Sequence, residues 1–135
     1  MTRANLICIT IAVCLAIGCT CTGSKQCQTV IETKPVLRHV VLFQFKADTT
    51  PTQVKEIEDA FRALPSKIHG IAGYEWGTNV SPENLNQGFT HCFFLTFHSA
   101  AARDAYLPHP AHKAFGAMLK DKLEKALVVD YWTKE

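Results

Sequence analysis

Two stretches of this chain alternate apolar and polar residues regularly enough to dictate a half-buried sheet. In Leu37 to Lys46 (LRHVVLFQFK), residues Leu37, His39, Val41, Phe43 and Phe45 share one face, with Arg38, Gln44 and Lys46 on the other. In Phe89 to Phe97 (FTHCFFLTF), the odd positions Phe89, His91, Phe93, Leu95 and Phe97 form the more apolar face. Successive side chains of a strand point to opposite sides, so each stretch reads as a strand with one side in a core. Each also carries a histidine near its start, on the apolar side.

The segments around these strands complete one domain. Thr50 is placed to cap a helix with Pro51 at its first position, and Val54, Ile57, Phe61 and Leu64 recur at helical spacing until Pro65 ends it. After Gly70 and Gly73, Tyr74 to Val80 reads as a second strand and Ser81 to Gly88 as a loop. Ser99 caps a short helix to Tyr106, Pro108 breaks it, and a further helix runs from Pro110 to about Lys125 with Phe115, Leu119 and Leu123 on one stripe. Leu127 to Trp132 is the last strand. The order β-α-β-β-α-β, with a split second helical region, is the ferredoxin-like α+β pattern: a four-stranded antiparallel sheet with helices on one face. Such a sheet leaves an apolar face that needs a cover, which predicts a homodimer.

The N-terminal 36 residues are of another kind. Arg3 precedes an uncharged run from Leu6 to Ile17 that ends in Gly18-Cys19, the layout of a signal peptide over residues 1–18. A helix of that run would reach roughly 18 Å, short of the ~30 Å of a bilayer core. Ala16-Ile17-Gly18-Cys19 resembles a bacterial lipobox, departing from it at Ala16 where leucine is usual. The expectation is therefore a lipid on Cys19, a polar tether over residues 19–36, and a membrane-anchored protein of the bacterial cell envelope, with simple secretion and an uncleaved anchor as the alternatives. Cys21 and Cys27 in the tether are either a small disulfide loop or two unpaired thiols. Cys92, in an apolar strand, reads as a core residue.

With 14 basic and 12 acidic residues and no basic run, the chain has nothing to track a phosphate backbone, so nucleic acid is excluded as an expected partner. The histidines lack the short spacings of a zinc site, and no metal is expected. Trp76 and Trp132 are expected in the core or at a dimer surface.

LRHVVLFQFK, EWGTNV, GFTH and, most specifically, YLPHPAHKAFG followed by VVDYW resemble the stress-responsive α/β-barrel family over residues 37–133. The resemblance implies homodimers in which two sheets pack into a barrel. It also implies site residues, because a plant polyketide cyclase of that family places its catalytic histidine at the last position of HPAH, here His112. Its catalytic tyrosine falls on Tyr106 and the aspartate paired with the histidine on Asp130. His39 and His91 match further histidines of that enzyme.

Independently of any family, His112 stands at about the third position of its helix, on the Phe115 stripe, and so points inward. The helix beyond it and the returning strand are of similar length, at ~1.5 and ~3.3 Å per residue, which brings Asp130 level with His112 as an orienting partner. His39 is expected at that same end of the sheet and His91 at the opposite one. A Tyr106 hydroxyl could donate to a carbonyl or enolate oxygen while His112 removes a proton from carbon, with no metal or organic cofactor. The function expected is thus binding or transformation of a small, largely apolar carbonyl compound. The competing readings are a non-catalytic ligand-binding or stress-protective module, and, by fold analogy alone, haem or quinone monooxygenase chemistry. His112 could equally be a structural partner of Asp130, His109 an exposed helix cap, and His39 and His91 hydrogen-bonded core residues rather than ligand-binding ones.

Overall fold

The computed structural model describes residues 34–134. The proposed signal peptide, Cys19, Cys21 and Cys27 lie outside those residues. Strands β1 (Leu37–Phe45), β2 (Gly73–Thr78), β3 (His91–Phe97) and β4 (Leu123–Trp132) form one antiparallel sheet in the order β2-β3-β1-β4. Helices α1 (Pro51–Arg62), α2 (Leu64–Lys67), α3 (Ala100–Tyr106) and α4 (Pro110–Met118) supply the connections. This is the ferredoxin-like arrangement.

The alternation in β1 and β3 becomes the core directly. Leu37, Val41, Phe43, Phe93, Leu95 and Phe97 are buried on the inner face. Phe61 of α1 stacks on Phe93 with ring centroids 4.4 Å apart and lies 4.6 Å from Phe115 of α4, joining sheet and both long helices. The caps form as the sequence suggests. Thr50 Oγ1 accepts from Gln53 N at 3.3 Å while Gln53 Oε1 accepts from Thr50 N at 3.0 Å, a reciprocal capping box. Ser99 Oγ accepts from Ala102 N at 3.1 Å.

Element boundaries differ from expectation in three regions. Pro65 does interrupt α1, but it also sits in the first turn of α2, where its missing N–H needs no acceptor. Strand β2 stops at Thr78 and β3 begins at His91, each two residues short of expectation, although Asn79 N still bonds to Thr90 O at 2.8 Å. The largest change is at α4, which ends at Met118 rather than near Lys125. Leu119 and Leu123 do not extend a helical stripe: Leu119 caps α4, Asp121 turns the chain at φ 63°, and Leu123 already pairs with Phe45. Helix propensity loses here because β1 would otherwise leave the backbone groups of its second half unpaired.

The outer face of the sheet presents Val40, Leu42 and Phe94 together with Leu127, Val129 and Tyr131, the last three all more than 40% exposed. No helix of the described residues is long and apolar enough to cross a membrane.

Candidate functional site

His39 is the third residue of β1, on the inner face and 5% exposed. Its cross-strand partner on β4 is Asp130, and the register brings their side chains together: His39 Nδ1 lies 2.6 Å from Asp130 Oδ1. A carboxylate can only accept, so Nδ1 carries the proton between them, and in the neutral ring the lone pair then falls on Nε2. The other carboxylate oxygen, Oδ2, accepts from the Arg103 guanidinium on α3.

Tyr106, the last residue of α3, is buried between two imidazoles. Its ring centroid is 5.6 Å from that of His39, edge to face, and 4.2 Å from that of His112. Burial, reinforced by the Asp130 charge, pushes the Tyr106 hydroxyl well above the usual tyrosine range, so the group is a permanent proton donor in ordinary conditions. The break at Pro108 then places His112. The peptide carbonyl of Leu107, just past α3, lies 2.9 Å from His112 Nδ1. A carbonyl also only accepts, so this ring too has a proton on Nδ1, and in its neutral form the lone pair falls on Nε2.

The three side chains stand together on a half-open cavity of about 230 Å³, whose other walls are apolar, including Val41, Phe61, Phe115 and Val128. Gly116 adds none of its own bulk, and a Cβ there would meet nothing within 4 Å.

The inward heading of His112 and the presence of His39 at the same end of the sheet are as expected. The partner of Asp130 is not. Asp130 binds His39 and Arg103, whereas His112 is held by a backbone carbonyl. The reason is register: Asp130 lies directly across from His39, which a comparison of element lengths cannot resolve. His109 caps α4, its Nδ1 accepting from Ala111 N at 3.2 Å, and is not among the cavity's lining residues. His91 lies at the far end of the sheet, where Glu58 Oε1 is 3.2 Å from Nε2 and Thr90 Oγ1 is 2.8 Å from Nδ1.

A larger cleft of about 330 Å³ opens beside His91 and Cys92. It offers poorer chemistry. Both nitrogens of His91 are engaged, and burial pushes the Cys92 thiol up, away from the reactive thiolate. Among the described residues no three His, Cys, Asp or Glu side chains gather as metal ligands. The residue missed in the sequence is Arg103. Its one available signal was its position three before Tyr106, hence on the same helical face.

An antiparallel ferredoxin-like sheet carrying a histidine–tyrosine cavity at one end defines a class of small α/β-barrel proteins. The chain belongs to the stress responsive A/B barrel domain family, whose model matches residues 37–133. It is 39% identical over 100 residues to the stress-response A/B barrel domain-containing protein HS1 of Arabidopsis thaliana, covering 74% of this chain and 92% of the relative. It is 32% identical over 95 residues to olivetolic acid cyclase of Cannabis sativa, covering 70% and 94%. Among solved structures it is similar to a hydroxynitrile lyase from Passiflora edulis, with TM-score 0.70, 27% identity, and 74% and 94% of the two chains covered. A dimeric ferredoxin-like protein of unknown function from a Jannaschia species matches with TM-score 0.64 and 27% identity over 71% and 97%.

Proposed function

We propose that this protein binds and transforms a small, largely apolar carbonyl compound by proton transfer in the Tyr106 cavity. The observation that carries the reading is the burial of the Tyr106 ring between two imidazoles, His39 and His112, whose Nδ1 atoms each face a fixed acceptor. In a cyclase-type step, His112 Nε2 takes a proton from the carbon beside a carbonyl. The resulting enolate carbon then bonds to a second carbonyl carbon of the same molecule, and Tyr106 donates to the oxygen that gains charge. His39, backed by Asp130, is the second base at hand. The steps move only protons and electron pairs, so they call for no metal or organic cofactor. The similarity to a protein named as a cyclase and to one named as a hydroxynitrile lyase supports chemistry at an oxygen-bearing carbon.

The alternative is a non-catalytic binding module, favoured by one observation. A cavity of about 230 Å³ is below the ~300–1,000 Å³ of ordinary ligand sites, and its rings pack on one another. Incubating the protein with short β-polyketo thioesters and aldehyde cyanohydrins, followed by mass spectrometry, separates the two. The enzyme reading expects turnover that falls ~10²–10⁴-fold in His112→Ala and in Tyr106→Phe with the fold retained. Saturable binding without turnover would replace it by the module, and the absence of both turnover and binding would overturn a ligand role for the cavity.

The reading extends to setting. The molecule works as a homodimer at the bacterial envelope, held by a lipid on Cys19. The bare apolar outer face of the sheet and the dimeric state of the Jannaschia protein support the first part, and the lipobox-like Ala16-Ile17-Gly18-Cys19 supports the second.

A further inference from the structure

We infer that Arg103 is a positioning residue of this cavity: its guanidinium holds the second oxygen of Asp130 and thereby fixes which nitrogen of His39 carries the proton. The inference rests on reading the cavity as an acid–base site. Among the described residues Asp130 has two side-chain partners, His39 on Oδ1 and Arg103 Nη1 on Oδ2. With one oxygen held, a carboxylate still turns about its Cβ–Cγ bond. With both held, its plane is set and one lone pair stays aimed at His39 Nδ1.

Among the described residues no other side chain bonds to that second oxygen. Asp130 lies on β4, an outermost strand of the sheet, and its same-face neighbours Val128 and Trp132 are about half exposed, so its own strand packs little against the carboxylate. Arg103 is itself steadied, its Nε donating to Asp104 Oδ1 at 2.7 Å. The other titratable groups beside the His39 ring are Tyr106 from α3 and His112, which lines the same cavity from α4. Neither reaches Asp130 in the hydrogen bonds of the described residues. The bridge also runs from the helix that carries Tyr106 to the strand that carries Asp130, so a single contact sets the donor and the dyad relative to each other.

An ordinary surface ion pair would do none of this. Arg103 and Asp130 are each about a quarter exposed, and pairs of that kind add little to stability. The test is therefore spectroscopic. In the full chain labelled with ¹⁵N-histidine, His39 is expected to show the Nδ1–H tautomer and a downfield Nδ1 proton, and Asp130→Ala to give the spectrum of the released ring. Arg103→Gln should lose the downfield signal and mix the tautomers, as in Asp130→Ala. Arg103→Lys, which keeps a cationic donor, should restore the signal at least in part. The signal of His112, held by Leu107 O, should persist throughout and shows that the fold is intact. Arg103→Met, with its apolar stem, provides a second neutral variant should Arg103→Gln fold poorly. A wild-type His39 spectrum in either neutral variant would overturn the inference. That outcome would leave the proposed function standing, whereas absence of turnover would leave the spectroscopic result untouched.

Discussion

Tyrosine and histidine side chains meet at this site under different constraints. Each histidine spends its Nδ1 proton on a fixed acceptor, while the Tyr106 hydroxyl is held protonated by burial and by the Asp130 charge. A second tyrosine behaves similarly. Tyr74 is pushed up to about 12, chiefly by burial, and its hydroxyl is buried without a hydrogen-bond partner among the described residues. Both groups hold their protons more tightly when folded than at the ordinary value of 10.0. Their contribution is therefore neutral below pH ~10 and becomes destabilising above it, because the unfolded chain then releases protons that the folded one retains. Stability is expected to fall steeply between about pH 10 and 12, and Tyr74→Phe to flatten that fall. Denaturant titrations of both proteins across the interval check this; a slope unchanged by the substitution would contradict the assignment. Replacing Tyr74 also removes an unpaired buried hydroxyl, so at neutral pH the variant should be as stable as the parent or slightly more so.

At the scale of elements, the segment from Leu119 to Lys125 is the one that local pattern misreads. Its leucines, lysines and glutamate are good helix formers, and Phe115, Leu119 and Leu123 have helical spacing. It becomes a turn and the start of β4 because β1 needs a neighbour along its whole length. The cost is visible at Asp121, which turns the chain at φ 63°, a conformation that glycine adopts without strain. Asp121→Gly is expected to stabilise the protein by about 0.5–1 kcal/mol, raising the melting temperature by a few degrees, and Asp121→Val to lower it. Calorimetry on the pair measures both directions at once. By contrast, the starts of α1, α3 and α4 were readable residue by residue, because Thr50, Ser99 and His109 act through hydrogen bonds within two or three residues of themselves.

For the whole molecule, the question is what covers the outer face of the sheet, where Val40, Leu42, Phe94, Leu127 and Val129 meet solvent in a single chain. A second copy is the expected cover, and Val129→Lys should place a charge in that contact and yield monomers. Light scattering at micromolar concentration is the measurement, with a monomeric parent protein as the result against it. The envelope setting is checked by Cys19→Ala, which should abolish lipid labelling and release the protein from membranes. What the sequence determined alone is everything carried by short-range pattern: two strand faces from their period of two, the helix starts from their caps, and the βαββαβ order from the succession of both. It also placed His39, His112 and Asp130 at one end of the sheet, with Tyr106 added by the family resemblance. Only the tertiary structure decided which of these touch. The β1–β4 register sets Asp130 opposite His39, and the fold of α3 over that strand brings Arg103 to its other oxygen. A register is a property of two segments about ninety residues apart, chosen by the packing of the entire sheet, and no local periodicity contains it.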